Sequence, residues 1–363
     1  MTALVPGSTI GILGGGQLGR MLAMAAARLG LKCHVLAPEA DSPAFDVTAD
    51  HTIASYDDEA AVRAFAASVD VATYEFENIP VATVELLSKL IPVRPGATAL
   101  ACAQDRINEK TLARELGAMT ADFASVDSLA ELKVRLEQIA PPCILKTRRL
   151  GYDGKGQAKI LNADDAKPAW EAMANQPSIL ESFVAFDREV SVVAARALNG
   201  EFRAFDVTEN EHRNHILHRS VAPARLSPRA AAQAIGIARA FAEALDYVGV
   251  FAIEFFALGS DGEETLYVNE MAPRVHNSGH WTIDGAVTSQ FEQHIRCVAG
   301  WPLGATQRKA PAVEMINLIG DDILSWRDIA NDSGAFLHHY GKKGARPGRK
   351  MGHVNRLLQV RPA

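Results

Sequence analysis

The first hundred residues alternate between two hydrophobic periods. Short apolar runs predict strands at Thr9–Leu13, 33–36 and 71–75. The stretches between and after them carry apolar residues on one helical face and predict helices at 17–29, 57–67 and 81–90. Strands that alternate with helices are typical of a parallel sheet. Pro92, Pro95 and Gly96 then interrupt the pattern.

Beyond residue 100 the pattern changes to longer runs of strands. Helices at 105–116 and 129–139 flank a short strand, and Cys143–Thr147 with 156–161 predicts a hairpin around a glycine-rich tip. Strands dominate from 179 to 221. They are followed by an alanine-rich helix at 228–245, a hairpin at 250–271 and a helix near 286–298. We expect the last sixty residues to form a separate small unit.

Composition narrows the class of protein. A chain of 363 residues suggests two or three domains at roughly 150 residues each. The net charge of −6 does not favour a nucleic-acid binder, and no apolar run is long enough to span a bilayer. The four cysteines are far apart, which indicates buried thiols in a reducing compartment. The N-terminus reads as the start of a strand rather than a signal peptide, so we expect a cytoplasmic enzyme.

The stretch GILGGGQLGR contains Gly14, Gly16 and Gly19 at the spacing of a dinucleotide-binding loop. A nicotinamide site also needs an acidic residue at the end of the second strand, where this chain has Ala37, and Glu39 is only a partial match. Free amides at a helix N-terminus attract any phosphate. A nicotinamide site, another phosphate site and a tight structural turn therefore all stay open.

A second candidate site follows the strand that ends near Lys146. Lys155 lies within Gly151–Gly156, where glycines allow a loop to close and lysines offer charge to phosphate oxygens. The alternative is an ordinary hairpin with solvated lysines. Glu181 and Glu189 can accept hydrogen bonds from ribose hydroxyls, but each could also be a solvated acid on an edge strand.

The hairpin at 250–271 carries the strongest chemical signal. If its turn is centred on Gly262, Glu254 and Glu270 lie directly opposite each other on paired strands. Two opposed carboxylates in buried strands repel, and a divalent cation removes the conflict. Oxygen ligands with Asn269 alongside suit Mg²⁺.

The histidines do not favour zinc. One group, in a strand-rich region, recurs every third residue: His212, His215 and His218. A second group, His276 and His280, is four residues apart. No cysteine joins either group. The segment from Ser333 to Ala363 has no Asp or Glu but seven basic residues, which indicates a local anion site: Lys342, Lys343, Arg346, Arg349, Lys350, Arg356 and Arg361.

In their order along the chain, these motifs resemble the ATP-grasp superfamily, and within it the family of 5-(carboxyamino)imidazole ribonucleotide synthases of purine biosynthesis. The resemblance is carried by GGGQLGRM, TYEFENIP, QDR, KTRRLGYDGKGQ, ENEHRNHILHRSVAPAR, NEMAPRVHNSGHWT and RPGRKMGH. It implies an α/β fold with a Rossmann-like pre-ATP-grasp domain at 1–100, an ATP-grasp α+β core at 101–300 with a lid at about 115–180, and a C-terminal β domain at 301–363. A homodimer is also implied.

The resemblance assigns residues to each ligand. ATP contacts are implied for Arg106, Lys146, Gly151, Tyr152, Asp153, Gly154, Lys155, Gly156, Gln157, Glu181, Ser182, Phe183, Val184, Glu189, His212, Asn269 and Glu270. Glu254 and Glu270 would hold Mg²⁺, which Mn²⁺ can replace. Substrate contacts are implied for Gly16, Gln17, Glu75, Asn78, Tyr152, Asp153, Lys155, His276, Asn277, Lys342 and Arg349. Catalytic roles fall to Asp153, Lys155 and Arg274.

The implied reaction is the ATP- and bicarbonate-dependent carboxylation of the exocyclic amine of 5-aminoimidazole ribonucleotide through carboxyphosphate. Asp153 would orient or deprotonate the amine, and the glycine loop at Gly16 would hold the 5′-phosphate region. Two departures from the family pattern are Lys155, where many relatives have arginine, and Asn214 with His215. The alternatives are a formate-using glycinamide ribonucleotide transformylase, a nicotinamide-dependent oxidoreductase and a purine-nucleotide sensor.

Overall fold

The N-terminal part folds around a four-stranded parallel sheet. The computed structural model describes residues 3–151, 156–260 and 262–362. The sheet has the order β3-β2-β1-β4, formed by β1 (Thr9–Leu13), β2 (Lys32–Ala37), β3 (Asp50–Ile53) and β4 (Val71–Tyr74). Its helices are α1 (Gln17–Arg28), α2 (Glu59–Ala67) and α3 (Val81–Ser88). The predicted strand–helix alternation is confirmed. β3 was missed because this edge strand, DHTI, has no buried residue that would give it an apolar signal.

The next part is a smaller sheet with a core of its own. The chain passes through α4 (Ala97–Ala103), α5 (Arg106–Glu115) and β5 (Met119–Thr120) before it enters this unit. The unit contains β6 (Phe123–Val126), α6 (Leu129–Gln138), β7 (Cys143–Thr147), β8 (Gln157–Ile160), α7 (Ala166–Ala172) and β9 (Ser178–Ser182), in the antiparallel order β6-β9-β7-β8. Leu132, Leu145, Trp170 and Leu180 form its separate hydrophobic cluster. This unit, called the lid sheet below, covers most of the range for which the resemblance predicts a lid, and that role stays a prediction.

A ten-stranded sheet forms the centre of the molecule. The elements after the lid sheet are β10 (Arg188–Arg196), β11 (Phe202–Ala204), β12 (Thr208–Arg213), β13 (Ile216–Ala222), α8 (Pro228–Ala244), β14 (Gly249–Leu258), β15 (Thr265–Ala272), α9 (Thr282–Gly285), α10 (Gln290–Ala299), β16 (Ala312–Ile319), α11 (Trp326–Asn331), β17 (Ala335–His339) and β18 (Lys350–Leu358). The main strand order of the central sheet is β17-β18-β16-β13-β12-β10-β14-β15-β5, with β11 paired to β10.

One expectation about this region needs correction, and one gains a structural detail. β16 pairs with β13 from Arg219–Ile316 to Ala222–Val313, so the C-terminal strands extend the central sheet. Helix α10 begins at Gln290, not near 286, because the side chain of Ser289 caps it by accepting from the Glu292 amide. The domain boundaries themselves stay a prediction.

Buried polar contacts fix the N-terminal sheet against the centre. Thr73 on β4 lies 2.8 Å from His294 Nε2 on α10, and both side chains are buried. Arg94 donates to the carbonyl of Val298 at 2.6 Å. These contacts hold the carboxyl ends of β1 and β4 beside the large cleft. No helix in the described part of the chain is long and apolar enough to cross a membrane.

Candidate active site

One cleft of about 850 Å³ opens where the N-terminal sheet, the lid sheet and the central sheet meet. Within the described residues it collects every site residue predicted from the sequence except Gly16, which lies just behind its wall: Gln17, Glu75, Asn78, Arg106, Lys146, Gly151, Gly156, Gln157, Glu181, Ser182, Phe183, Val184, Glu189, His212, Glu254, Asn269, Glu270, Arg274, His276, Asn277, Lys342 and Arg349. Tyr152, Asp153, Gly154 and Lys155 lie outside the described residues.

One end of the cleft is a buried cluster of charges. Lys146 Nζ lies 2.8 Å from Glu181 Oε2, and Lys110 Nζ lies 3.3 Å from Glu181 Oε1. Burial raises the pKa of Glu181, but the two lysines outweigh it and hold that pKa at about 2. The carboxylate is therefore ionised at neutral pH and balances two cations at the cleft wall. That balance keeps the lysines in place beside the cleft.

Helix α5 contributes more to this cluster than the sequence indicated. Glu109 and Lys110 are each 1 % exposed, and Lys110 also donates to the backbone carbonyl of Asn269 at 3.1 Å. The carboxylate of Glu109 accepts from the backbone amide of Met271. Burial raises the pKa of Glu109 to about 8. Glu109 and Lys110 lie three and four residues after Arg106, which places all three on one face of α5. This spacing is the sequence signal that could have revealed Glu109 and Lys110 as residues of the cluster.

An aromatic pair lies near the same end. Phe186 stacks on Phe256 with ring centroids 4.5 Å apart and an interplanar angle of 6°. Phe183 is 43 % exposed beside the segment that follows β9. Ser182 accepts a hydrogen bond from the amide of Asp122 at 2.9 Å, which fixes the position of its hydroxyl oxygen at the cleft. Flat apolar surface next to lysines suits a nucleotide base joined to phosphates.

Glu254 and Glu270 face each other across β14 and β15, as the sequence predicted. The register shifts beside this pair, and Asn269 is the extra residue on β15. Arg106 Nη1 donates to Glu270 Oε2 at 3.0 Å, and His276 Nε2 lies 2.8 Å from Glu254 Oε1. Burial raises the pKa of Glu254, but His276 outweighs it and that pKa is lowered to about 2.

The donor set fits a hard divalent cation. Two carboxylates lie side by side, and the side-chain oxygen of Asn269 is buried without a hydrogen-bond partner among the described residues. Oxygen ligands of this kind are typical of Mg²⁺ sites that also use substrate phosphates as ligands. Across the described ranges there is no group of three or more His, Cys, Asp or Glu side chains arranged for a metal ion.

The glycine-rich loop before α1 binds a carboxylate of the protein itself. Gly16 N–H donates to Glu75 Oε1 at 2.7 Å, and Gly19 N–H donates to Glu75 Oε2 at 3.0 Å. Burial raises the pKa of Glu75, and these two amides act against that shift. Gly16 has a φ of −75°, so the loop does not require a positive φ there. The loop holds Glu75 at the cleft wall, and its contact with the 5′-phosphate region of the substrate stays a prediction.

Arg274 is fixed by a residue that the sequence reading passed over. Its Nη2 donates to Glu77 Oε1 at 2.8 Å, and its Nε donates to Glu77 Oε2. Burial raises the pKa of Glu77, but this guanidinium outweighs it and lowers that pKa to about 2. A two-point contact holds the planar guanidinium at the floor of the cleft. Asn277 lies nearby, and within the part of the chain that the structure describes both polar atoms of its side chain are buried without a hydrogen-bond partner.

The basic C-terminal segment divides between the cleft and the surface. Lys342, Arg349 and Lys350 line the cleft, and Lys342 Nζ donates to the carbonyl of Lys350 at 2.8 Å. Arg349 Nη1 donates to two backbone carbonyls of its own loop, at 2.5 and 2.9 Å. Other members form surface ion pairs, such as Lys343 with Asp41 at 2.6 Å. Only part of the predicted anion site therefore faces the cleft.

The β12–β13 turn explains one departure from the family pattern. Asn214 and His215 have φ values of 51° and 64° and form a two-residue hairpin turn. Asparagine tolerates this left-handed conformation better than most residues other than glycine. His215 Nδ1 lies 3.4 Å from Gln157 Nε2, and His212 contacts Glu189 in the cleft. Burial lowers the pKa of His212, but Glu189 outweighs it and raises that pKa.

Comparison with known families agrees with this geometry. Three domain families match stretches of this chain: an ATP-grasp domain at residues 111–291, a ribonucleotide synthetase preATP-grasp domain at 7–104 and a phosphoribosylaminoimidazole carboxylase C-terminal domain at 314–361. The cleft and the sheets around it therefore define an ATP-grasp ligase.

Individual relatives show which family of ATP-grasp ligases the chain belongs to. The chain is 51 % identical to N5-carboxyaminoimidazole ribonucleotide synthase of Brucella melitensis over 98 % of both chains. The crystal structure of an ADP complex of N5-carboxyaminoimidazole ribonucleotide synthetase superposes with a TM-score of 0.94 at 42 % identity, covering 99 % of this chain and 95 % of that one. The enzyme of Aspergillus clavatus, in complex with ADP and 5-aminoimidazole ribonucleotide, superposes at 0.90 with 30 % identity, covering 98 % and 95 %. The chain belongs to the family of N5-carboxyaminoimidazole ribonucleotide synthases.

Proposed function

We propose that this chain carboxylates the exocyclic amine of 5-aminoimidazole ribonucleotide with ATP and bicarbonate, releasing ADP and phosphate. The observation that carries the proposal is the single cleft. It joins a lysine-rich end at Lys146 to an acceptor end at Glu75 and Lys342, with Glu254 and Glu270 between them. The relative from Aspergillus clavatus binds ADP and 5-aminoimidazole ribonucleotide, which supports two ligands in a cleft of this shape.

The chemistry requires activation of bicarbonate, which is a poor electrophile. Its oxygen attacks the γ-phosphorus of ATP, the bond to ADP breaks, and carboxyphosphate forms. Such a transfer needs charge neutralisation and alignment more than covalent catalysis. Lys146, Arg106 and Arg274 supply positive charge around the cleft, and Glu77 holds Arg274 in its orientation. The amine then attacks the carboxyl carbon directly, or attacks CO₂ released from it.

Glu254 and Glu270, with the side-chain oxygen of Asn269, would hold Mg²⁺ or Mn²⁺. When bound, the ion supplies charge neutralisation for the phosphate oxygens of ATP. In the structure Arg106 and His276 contact these two carboxylates and limit their repulsion. Asp153 and Lys155 keep their proposed roles, orientation or deprotonation of the amine and neutralisation of phosphate charge.

The lid sheet would exclude water from carboxyphosphate, which hydrolyses readily. Its strands β7 and β9 carry Lys146 and Glu181, and its separate hydrophobic cluster would allow it to move as a unit. A cytoplasmic homodimer completes the proposal. The cysteines agree with a reducing compartment, because Cys33, Cys102, Cys143 and Cys297 are all free. Size-exclusion chromatography with light scattering tests the dimer.

The decisive experiment measures ADP release with each acceptor, with and without bicarbonate. We expect rapid ADP release only when 5-aminoimidazole ribonucleotide and bicarbonate are both present, together with a carboxylated product detected by mass spectrometry. Glycinamide ribonucleotide with formate serves as the control for the formate-using alternative. ADP release with that pair, and none with the proposed pair, would overturn the proposal.

A further inference from the structure

Four polar side chains are buried together behind His276, on the face of the central sheet that carries Glu254. Ser191, Ser220 and Ser278 are 0 % exposed and Asn210 is 8 % exposed. Hydroxyl and amide groups removed from water cost free energy unless they are hydrogen-bonded. None of these four residues was singled out by the sequence, and none lines the cleft. Their contacts with one another therefore require an explanation.

The four side chains form a continuous chain of hydrogen bonds. Ser220 Oγ lies 2.8 Å from Asn210 Oδ1, and Asn210 Nδ2 lies 2.9 Å from Ser191 Oγ. Ser191 Oγ lies 2.7 Å from Ser278 Oγ, which in turn lies 2.8 Å from His276 Nδ1. Strand register brings the groups together, because Ser191 lies opposite Glu254 and Asn210 lies opposite Ser220.

The direction of this chain is set at its histidine end. The backbone amide of Ser278 donates to His276 Nδ1 at 3.3 Å, and a backbone amide can only donate. His276 Nδ1 is therefore an acceptor, and the ring proton is on Nε2, which faces Glu254 Oε1 at 2.8 Å. The Ser278 hydroxyl then donates to Nδ1, so its oxygen accepts from Ser191.

The same logic runs to the far end of the chain. Since Ser191 donates to Ser278, its oxygen accepts from the amide nitrogen of Asn210, and the amide oxygen of Asn210 accepts from Ser220. All four side-chain hydrogen bonds therefore point towards His276. The backbone of His276 is held as well, because Gln290 accepts from its amide at 2.8 Å and donates to its carbonyl at 2.7 Å.

We propose that Ser191 and Asn210 are positioning residues that direct the Ser278 hydroxyl towards Nδ1 of His276, so that the ring is held with its Nε2 proton aimed at Glu254 in the orientation needed to hold a divalent cation. The consequence for the cation rests on the proposed function, whereas the position of the proton does not. Groups behind a metal ligand commonly change metal affinity or activity by about 10- to 100-fold when they are removed. The proposal assigns that role to residues on two strands and one loop.

The test combines a spectroscopic readout with a metal dependence. Long-range ¹⁵N–¹H correlation spectra of the metal-free protein, recorded well above the ordinary histidine pKa of about 6.5, report which ring nitrogen carries the proton. Comparison with His276→Gln assigns the signal. We expect Nε2 protonation in both proteins, because the Ser278 amide still donates to Nδ1. The ¹⁵N resonance of Nδ1 should shift in Ser191→Ala, because the Ser278 hydroxyl loses the donor that orients it towards that nitrogen. The Mg²⁺ concentration for half-maximal ADP formation should rise by about tenfold in Ser191→Ala.

Matched variants separate positioning from stability. Ser178→Ala removes an equally buried hydroxyl that contacts only a backbone carbonyl among its described partners, and it should behave as wild type. Ser191→Thr keeps the hydroxyl and should restore both readouts. Ser220→Ala removes only the far end of the chain and gives a milder test if Ser191→Ala fails to fold.

Two results would overturn the proposal: Nδ1 protonation of His276 in the wild type, or an unchanged Nδ1 resonance in folded Ser191→Ala. Wild-type protein with the expected tautomer but no carboxylation of 5-aminoimidazole ribonucleotide would instead refute the proposed function and leave the assignment of the proton intact.

Discussion

The contact between the glycine-rich loop and Glu75 leads to a sharp prediction for Gly16→Ala. A Cβ atom added at Gly16 would lie 2.7 Å from Glu75 Oε1, which is closer than such atoms approach in practice. The carboxylate must move away and lose the 2.7 Å hydrogen bond from the Gly16 amide. Because Gly16 already has a φ of −75°, the substitution acts through this contact and not through backbone strain.

The size of the effect follows from the bond that is lost. A hydrogen bond to a charged group contributes about 1.5–3 kcal/mol, which corresponds to about one to two decades in a dissociation constant. If Glu75 accepts hydrogen bonds from the substrate, the affinity of Gly16→Ala for 5-aminoimidazole ribonucleotide should fall by up to that amount. ATP should bind as before, because Lys146 and Glu181 lie on the lid sheet.

Isothermal titration calorimetry with each ligand separately is the assay, and Gly96→Ala is its control. Gly96 is also the residue before a helix, its φ is −77°, and nothing lies within 4 Å of an added Cβ. The two substitutions therefore share their intrinsic helix-capping cost and differ in the contact with Glu75. Equal affinity of both variants for the ribonucleotide would refute the reasoning. A loss that disappears for the ligand without its phosphate would support the loop as a phosphate site instead.

Three further predictions concern charged residues of the cleft. Glu270→Gln should abolish ADP formation and weaken the binding of Mg²⁺ with ATP while the circular dichroism spectrum stays unchanged; near-normal activity at saturating Mg²⁺ would contradict its role as a ligand. Arg349→Ala should raise the KM for the ribonucleotide by about one to two decades with little change for ATP, since a charge-assisted contact contributes about 1.5–3 kcal/mol; a change in the KM for ATP alone would show that the residue belongs to the other site. The pKa of Glu77 is about 2 in the folded protein, whereas the pKa of a glutamate in an unfolded chain is about 4.3. The contact of Glu77 with Arg274 therefore stabilises the fold at neutral pH. That contribution is lost as the pH falls from about 4.3 towards 2. Urea unfolding should therefore show a steeper loss of stability between about pH 5 and 3 in the wild type than in Glu77→Gln, and parallel curves would argue against the pair.

The sequence by itself determined most of the local structure and the opposed acids of the cleft. Hydrophobic period located the strands and helices, because burial of one face is written directly into the spacing of apolar residues. Glu254 and Glu270 could be paired from sequence alone, since a hairpin fixes which residues lie opposite each other. The order of motifs along the chain was specific enough to indicate the family. Elements without a buried face, such as the edge strand β3, gave no such signal.

Only the tertiary structure decided which group each charge contacts. Glu75 lies more than fifty residues from Gly16, so the sequence could not show that the loop amides bind a carboxylate rather than a phosphate. Glu77 lies 197 residues from Arg274, and Ser191 lies 87 residues from Ser278. Hydrogen bonds and ion pairs act over a few ångströms between atoms that the fold brings together, and a polar residue carries no periodic signal that names its distant partner.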